Sequence, residues 1–226
     1  MTEMIFGGLS LWSLGALLGL RHALEPDHLA ALSTVLTGER NPGAAVGLGA
    51  AWGLGHTLGL LAVACMLAAT QATLPAKVGT MFELSVAVML MGLGARSIGR
   101  VFLERRPDRI AIQFPGPGQP HLRQSHSTFA RRSLLIGLVH GLAGSGALTA
   151  MIAARLPSTG LRLAYVGLFG LCSMAGMAGL SGLAGMPLAR LGRKRGVRAA
   201  IGLLAGTMAS AVGVMWTVRE LASLRG

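Results

Sequence analysis

Six apolar runs, each long enough to cross a bilayer, constrain this chain of 226 residues more than any other feature. They fall at roughly 5–35, 43–70, 79–99, 132–154, 161–186 and 198–218, against about 20 residues for one helical crossing. Hydrocarbon offers no water to pair with backbone N–H and C=O groups, so a spanning segment must satisfy them internally as a helix. The expected fold class is an all-α integral membrane protein with six transmembrane helices. The first run is longer than one crossing needs and contains Pro26, so it is expected to be kinked or broken there. The fifth is rich in glycine and is expected to be irregular.

Composition supports this. Only 12% of residues are charged, about half the share of a soluble globular domain. The 34 glycines suit helices that pack closely in lipid. Cys65 and Cys172 lie in apolar runs and share no redox or metal spacing, so no disulfide framework is implied. Met1–Phe6 lacks a basic stretch, so no cleavable signal peptide is expected. The net charge of +12 would suit nucleic acid if it formed one patch. Instead the stretches after runs one, three and five hold 14 Lys and Arg, against 5 at the termini and after runs two and four. That bias puts both termini outside and the 100–131 loop in the cytoplasm of a cell (plasma, inner) membrane, and it removes nucleic acid from the partners.

The 100–131 stretch, with Pro107, Pro115, Pro117 and Pro120, reads as a linker between two halves, 1–99 and 132–226. His121 and His126 within it read as solvated. Gly19-Leu-Arg-His22-Ala-Leu in run one matches Gly137-Leu-Val-His140-Gly-Leu in run four. Gly53-Leu-Gly-His56-Thr-Leu-Gly has a looser echo in Phe169-Gly-Leu-Cys172-Ser-Met-Ala-Gly176. Two three-span halves enter the membrane in opposite senses, an inverted repeat of the kind that places a transporter's site near the midplane.

His22-Ala-Leu-Glu-Pro-Asp27-His28 puts two imidazoles and a carboxylate inside the first run. Ionisable groups at membrane depth are costly and mark functional sites. On an unbroken helix His22 would point away from Asp27 and His28. A break at Pro26 lets the three converge and frees the His22 carbonyl as an extra ligand. His56, near the middle of the second run, is the natural fourth ligand. Neutral imidazole and carboxylate suit nickel, cobalt or zinc; Asp27 could instead orient one of the imidazoles. A hydrogen-bonded network without an ion and a proton relay are the alternatives. Secondary candidates are Glu25, Thr57, Glu83, His140 (the repeat-mate of His22) and Ser145.

These motifs resemble the nickel/cobalt transporter superfamily, whose hallmark is H-x4-D-H in a membrane helix, here His22, Asp27 and His28 within Arg21–Thr34. Trp52-Gly-Leu-Gly-His56-Thr57 is similar to that family's second His-bearing helix. His140–Ser145 and Phe169–Met177 resemble second-half motifs of its short six-span UreH-like branch. One departure stands out: no Asp or Glu occurs between Leu134 and Val218, where longer members carry acidic motifs.

The resemblance implies secondary transport of nickel or cobalt, with zinc a weaker fit, and no cofactor bound for chemistry. The rival expectation is a non-transporting accessory subunit that binds metal and assembles with a larger transport or urease/hydrogenase metal-supply system. Partners are then the metal ion and the lipid bilayer, with room for a homo-oligomer and for metal-supply chaperones. An enzyme is not expected: H-E-x-x-H and C-x-x-C are absent, and six histidines are too few for clustered di-iron motifs.

Overall fold

The computed structural model describes residues 2–36, 41–70, 75–104, 126–143, 156–191 and 194–223. They form seven α-helices: α1 (Thr2–His22), α2 (Pro26–Leu36), α3 (Pro42–Thr70), α4 (Ala76–Glu104), α5 (His126–Leu142), α6 (Thr159–Leu191) and α7 (Arg195–Ser223). Four of them, α3, α4, α6 and α7, are long and apolar enough to cross a membrane. The first run is split between α1 and α2. The fourth is described only as far as Ala143, within and just beyond α5. Helix occupies both ends of the 100–131 stretch, since α4 reaches Glu104 and α5 starts at His126.

The break in the first run lies just ahead of Pro26. Leu24 N–H donates to the Arg21 carbonyl at 2.9 Å and Glu25 N–H to the His22 carbonyl at 3.0 Å, a tightened turn that closes α1. Pro26 then opens α2, at the helix position where a missing N–H loses no bond. The His22 carbonyl, expected to be free for a ligand, is taken by Glu25 because the chain tightens rather than unwinds.

The fifth run also departs from expectation, for α6 is one continuous helix of 33 residues with Pro187 inside it near its C-terminal end. Several of its glycines serve contact instead of bending: Gly170 lies against Thr57, Gly176 against Ala23 and Gly185 against Ala45. Lipid tails are as apolar as leucine side chains, so such helices associate through close packing at small residues.

These contacts fix the direction of each packed pair. α3 and α6 run antiparallel, with Gly49 at Ser181, Gly53 at Met174 and Thr57 at Gly170. α3 and α5 run parallel: Ser133 Oγ donates to the Leu48 carbonyl at 2.7 Å, and Gly137 and Gly141 lie on Trp52 and His56. α1 and α6 are parallel, pairing Gly15 with Tyr165 and Gly19 with Phe169. α4 and α7 are antiparallel, joined by Gly213 at Ala87, Gly94 at Gly206, and Ser97 Oγ donating to the Gly202 carbonyl at 2.9 Å.

The burial pattern inverts that of a soluble protein. Leu183, Leu204 and Met81 are 69% or more exposed, whereas Asp27, His28, His56, His140 and Ser173 are at most 1% exposed. Apolar surface outward and ionisable groups inward mark a membrane-integrated chain.

The close approaches yield a stability prediction. A Cβ at Gly137 would collide with the Trp52 carbonyl, while one at Gly167 meets nothing within 4 Å. Gly137→Val is expected to destabilise by upwards of about 3 kcal/mol through forced separation of α3 and α5. Gly167→Ala should melt within a few degrees of wild type. Thermal unfolding in detergent, followed by loss of the monodisperse size-exclusion peak, measures both.

Candidate metal centre

His22 ends α1, His28 sits in the first turn of α2, and His56 lies midway along α3. The tightened turn at Ala23–Glu25 brings the first two together, with ring centroids 4.4 Å apart. His56 completes the group, its ring 5.0 Å from His22 and 5.3 Å from His28. The Nε2 atoms of His22 and His56 are 3.1 Å apart. Two nitrogens bound to one ion at about 2.0–2.1 Å stand about 2.9–3.4 Å apart for angles between square and tetrahedral. All three residues offer a nitrogen within 4.8 Å of the others, and all three are buried.

Asp27 belongs to a second, overlapping group with His28 and His140. His140 Nε2 donates to Asp27 Oδ2 at 2.7 Å, a charge-assisted bond across 113 residues of sequence. Asp27 Oδ1 lies 3.2 Å from His28 Nδ1. The four first-choice residues therefore do not ring a single point. They form two triads that share His28, and His140 of α5 enters the cluster through the carboxylate.

Aromatic rings wall the group. Trp52 stacks on His28 at 5.6 Å and meets His140 edge-on at 5.8 Å, while Phe169 of α6 packs on His22 at 5.2 Å. Trp52 stands one helical turn before His56, a spacing visible in the sequence; Phe169 carried no polar signal to single it out.

Among the described residues, His28 Nε2, His56 Nδ1 and His140 Nδ1 have no hydrogen-bond partner, while Asp27 Oδ1 and His28 Nδ1 have only each other, at 3.2 Å. Leaving one buried polar atom unpaired costs about 1–3 kcal/mol. Concentrated in one place, lone pairs of imidazole and carboxylate form a donor set for a divalent cation.

The secondary candidates divide. Glu25 Oε2 lies 3.1 Å from His22 Nδ1, with its side chain 42% exposed, so it braces the outer edge of that ring while Nε2 faces His56. Thr57 donates its hydroxyl to the Gly53 carbonyl at 2.8 Å. Glu83 meets the carboxyl of Glu220 on α7, beside Arg219, and not a histidine of the cluster. Ser145 and His121 lie outside the described residues. Because Glu25 acts from the exposed edge of the cluster, Glu25→Gln is expected to weaken any divalent-metal binding there by less than about tenfold, the lower end for a residue that orients a ligand. Isothermal titration of the purified protein reads that loss.

Comparison with known proteins gives a relative of the same extent. The chain is 27% identical over 212 residues to the urease accessory protein UreH of Bacillus sp. (strain TB-90), an overlap of 91% of this chain and 90% of that one. No family model matches, and no solved structure matches. With both chains covered almost end to end, the likeness to this urease accessory protein belongs to the whole chain and agrees with the UreH-like resemblance of its motifs.

Proposed function

We propose that the protein is a secondary membrane transporter of a divalent transition metal, nickel or cobalt, which it carries through the buried His22–His28–His56 cluster. The observation that carries this reading is the convergence of three imidazoles from three helices onto one point, with a carboxylate against one of them. Nickel is preferred to zinc because the H-x4-D-H resemblance implies it.

Six crossings arranged as an inverted repeat fit the packing. If α1–α2, α3 and α4 form one half and α5, α6 and α7 the other, every parallel pair joins odd to odd or even to even. Contacts also recur in matched form: Gly19 at Phe169 with Gly137 at Trp52, Gly53 at Met174 with Gly170 at Thr57, and Gly94 at Gly206 with Gly213 at Ala87. The distribution of Lys and Arg favours both termini outside and the 100–131 stretch in the cytoplasm.

In this mechanism the cation sheds water for neutral imidazole nitrogens, so its binding displaces any protons they hold. Asp27 supplies the countercharge. Its bond to His140 links the first half to the second, and a cation beside Asp27 competes with that bond. Cargo therefore interacts differently with the linked and unlinked arrangements, which is the requirement for a ligand to shift a conformational equilibrium.

Flux into liposomes containing only the purified protein tests the proposal, with radioactive nickel as tracer and cobalt, zinc and manganese as competitors. Nickel accumulation blocked by cobalt is expected; absence of any metal flux overturns it. The name of the relative, an accessory protein, favours a second reading, a metal-binding accessory subunit. Its signature is stoichiometric nickel binding by the purified chain without flux.

A further inference from the structure

Ser173 on α6 is fully buried, and its hydroxyl has no hydrogen-bond partner among the described residues. A helical Ser or Thr ordinarily satisfies itself on the carbonyl one turn back. Others in this protein do so: Ser181 on Met177 at 2.6 Å, Thr57 on Gly53 at 2.8 Å and Thr207 on Leu203 at 2.9 Å. Ser173 does not.

Its neighbours on α6 show where it points. On one flank Phe169 packs on His22 and Gly176 lies against Ala23. On the other, Gly170 lies against Thr57 and Met174 against Gly53. At about 100° per residue, Ser173 falls between the flanks, about 40–60° from the first pair and about 60–100° from the second. It therefore faces the wedge between the end of α1 and the middle of α3. The contacts on either side bracket it at the level of His22 and His56.

The packing of the two halves agrees. Gly19 on Phe169 and Gly137 on Trp52 are matched contacts, which sets Trp52-Gly-Leu-Gly-His56 against Phe169-Gly-Leu-Cys-Ser173. This register, one residue on from the echo visible in the sequence, makes Ser173 the counterpart of His56. We propose that Ser173 Oγ is a direct oxygen ligand of the transported cation, the second half's own contact with the cargo. The inference rests on the metal-transport reading above and adds to it a neutral, weakly held fourth donor beside three imidazoles. Such a ligand leaves the ion bound but releasable when the halves separate.

The test uses full-length protein in detergent with Cys65 and Cys172 replaced by serine, and Co2+ as the probe. Ser173→Cys is expected to add a near-ultraviolet sulfur-to-cobalt charge-transfer band that the parent lacks. Ser173→Ala is expected to weaken cobalt binding about tenfold without shifting the melting temperature. Cobalt binding by both variants at the parent's affinity, with no sulfur band, overturns the proposal and leaves the transporter reading in place. A parent that binds no cobalt overturns both. A thiol packed in the wedge away from the ion would give no such band, so a purely structural role is distinguished.

Discussion

Nickel uptake by Asp27→Asn is expected to fall at least about a hundredfold, with the fold intact. The carboxylate is 1% exposed and, among the described residues, is the only acidic group in the buried cluster, since Glu25 stands at its exposed edge. Without it, a divalent ion would enter an environment lined by neutral imidazole and aromatic rings. Unit charges 4 Å apart interact by about 4 kcal/mol at an effective dielectric of 20, and a divalent ion doubles that. A hundredfold loss needs about 2.8 kcal/mol, so the expected effect is well within what the charge supplies. Asparagine keeps the size of the side chain and an oxygen facing His140, which preserves the 2.7 Å contact in uncharged form. Melting temperature and elution volume should therefore match wild type while flux and nickel affinity collapse together. Wild-type uptake by this variant would take the cation away from the cluster altogether.

The His/Asp cluster was legible because its chemistry conflicts with its surroundings. Two imidazoles and a carboxylate in an apolar run have few physical explanations, and Pro26 announces the broken helix that lets them meet. Which atoms pair was not legible. His22 reaches His56 across 34 residues and Asp27 reaches His140 across 113, and only the packing of α3 against α5 decides that the carboxylate turns to α5. Glycine misled in the fifth run for a related reason. A glycine breaks a helix where its backbone meets water, but permits close approach where it meets another helix, and the sequence does not say which neighbour it faces. Ser173 escaped notice because an uncharged hydroxyl among glycines and methionines reads as packing; its missing back-bond to the preceding turn is visible only in three dimensions.

His140→Ala should separate binding from movement. In the wild type, His140 Nε2 holds Asp27 Oδ2 and so joins α5 to the start of α2. Alanine removes that competitor, and the whole charge of Asp27 becomes available to the cargo. Nickel affinity is then expected to stay level or to tighten, while uptake falls at least about tenfold, because a cation with no link to break no longer favours one arrangement of the halves over the other. A histidine acting as a ligand predicts the reverse for binding, a loss of affinity in step with flux. A histidine that only fills space beside Trp52 predicts a lowered melting temperature with both properties reduced. His140→Gln supplies the remaining control. Its amide N–H can still donate to Asp27, so uptake should recover towards wild type, whereas a ligand role would leave it impaired, since a glutamine amide is a far poorer donor to nickel than imidazole. Titration calorimetry and liposome flux on the same preparations separate the three cases.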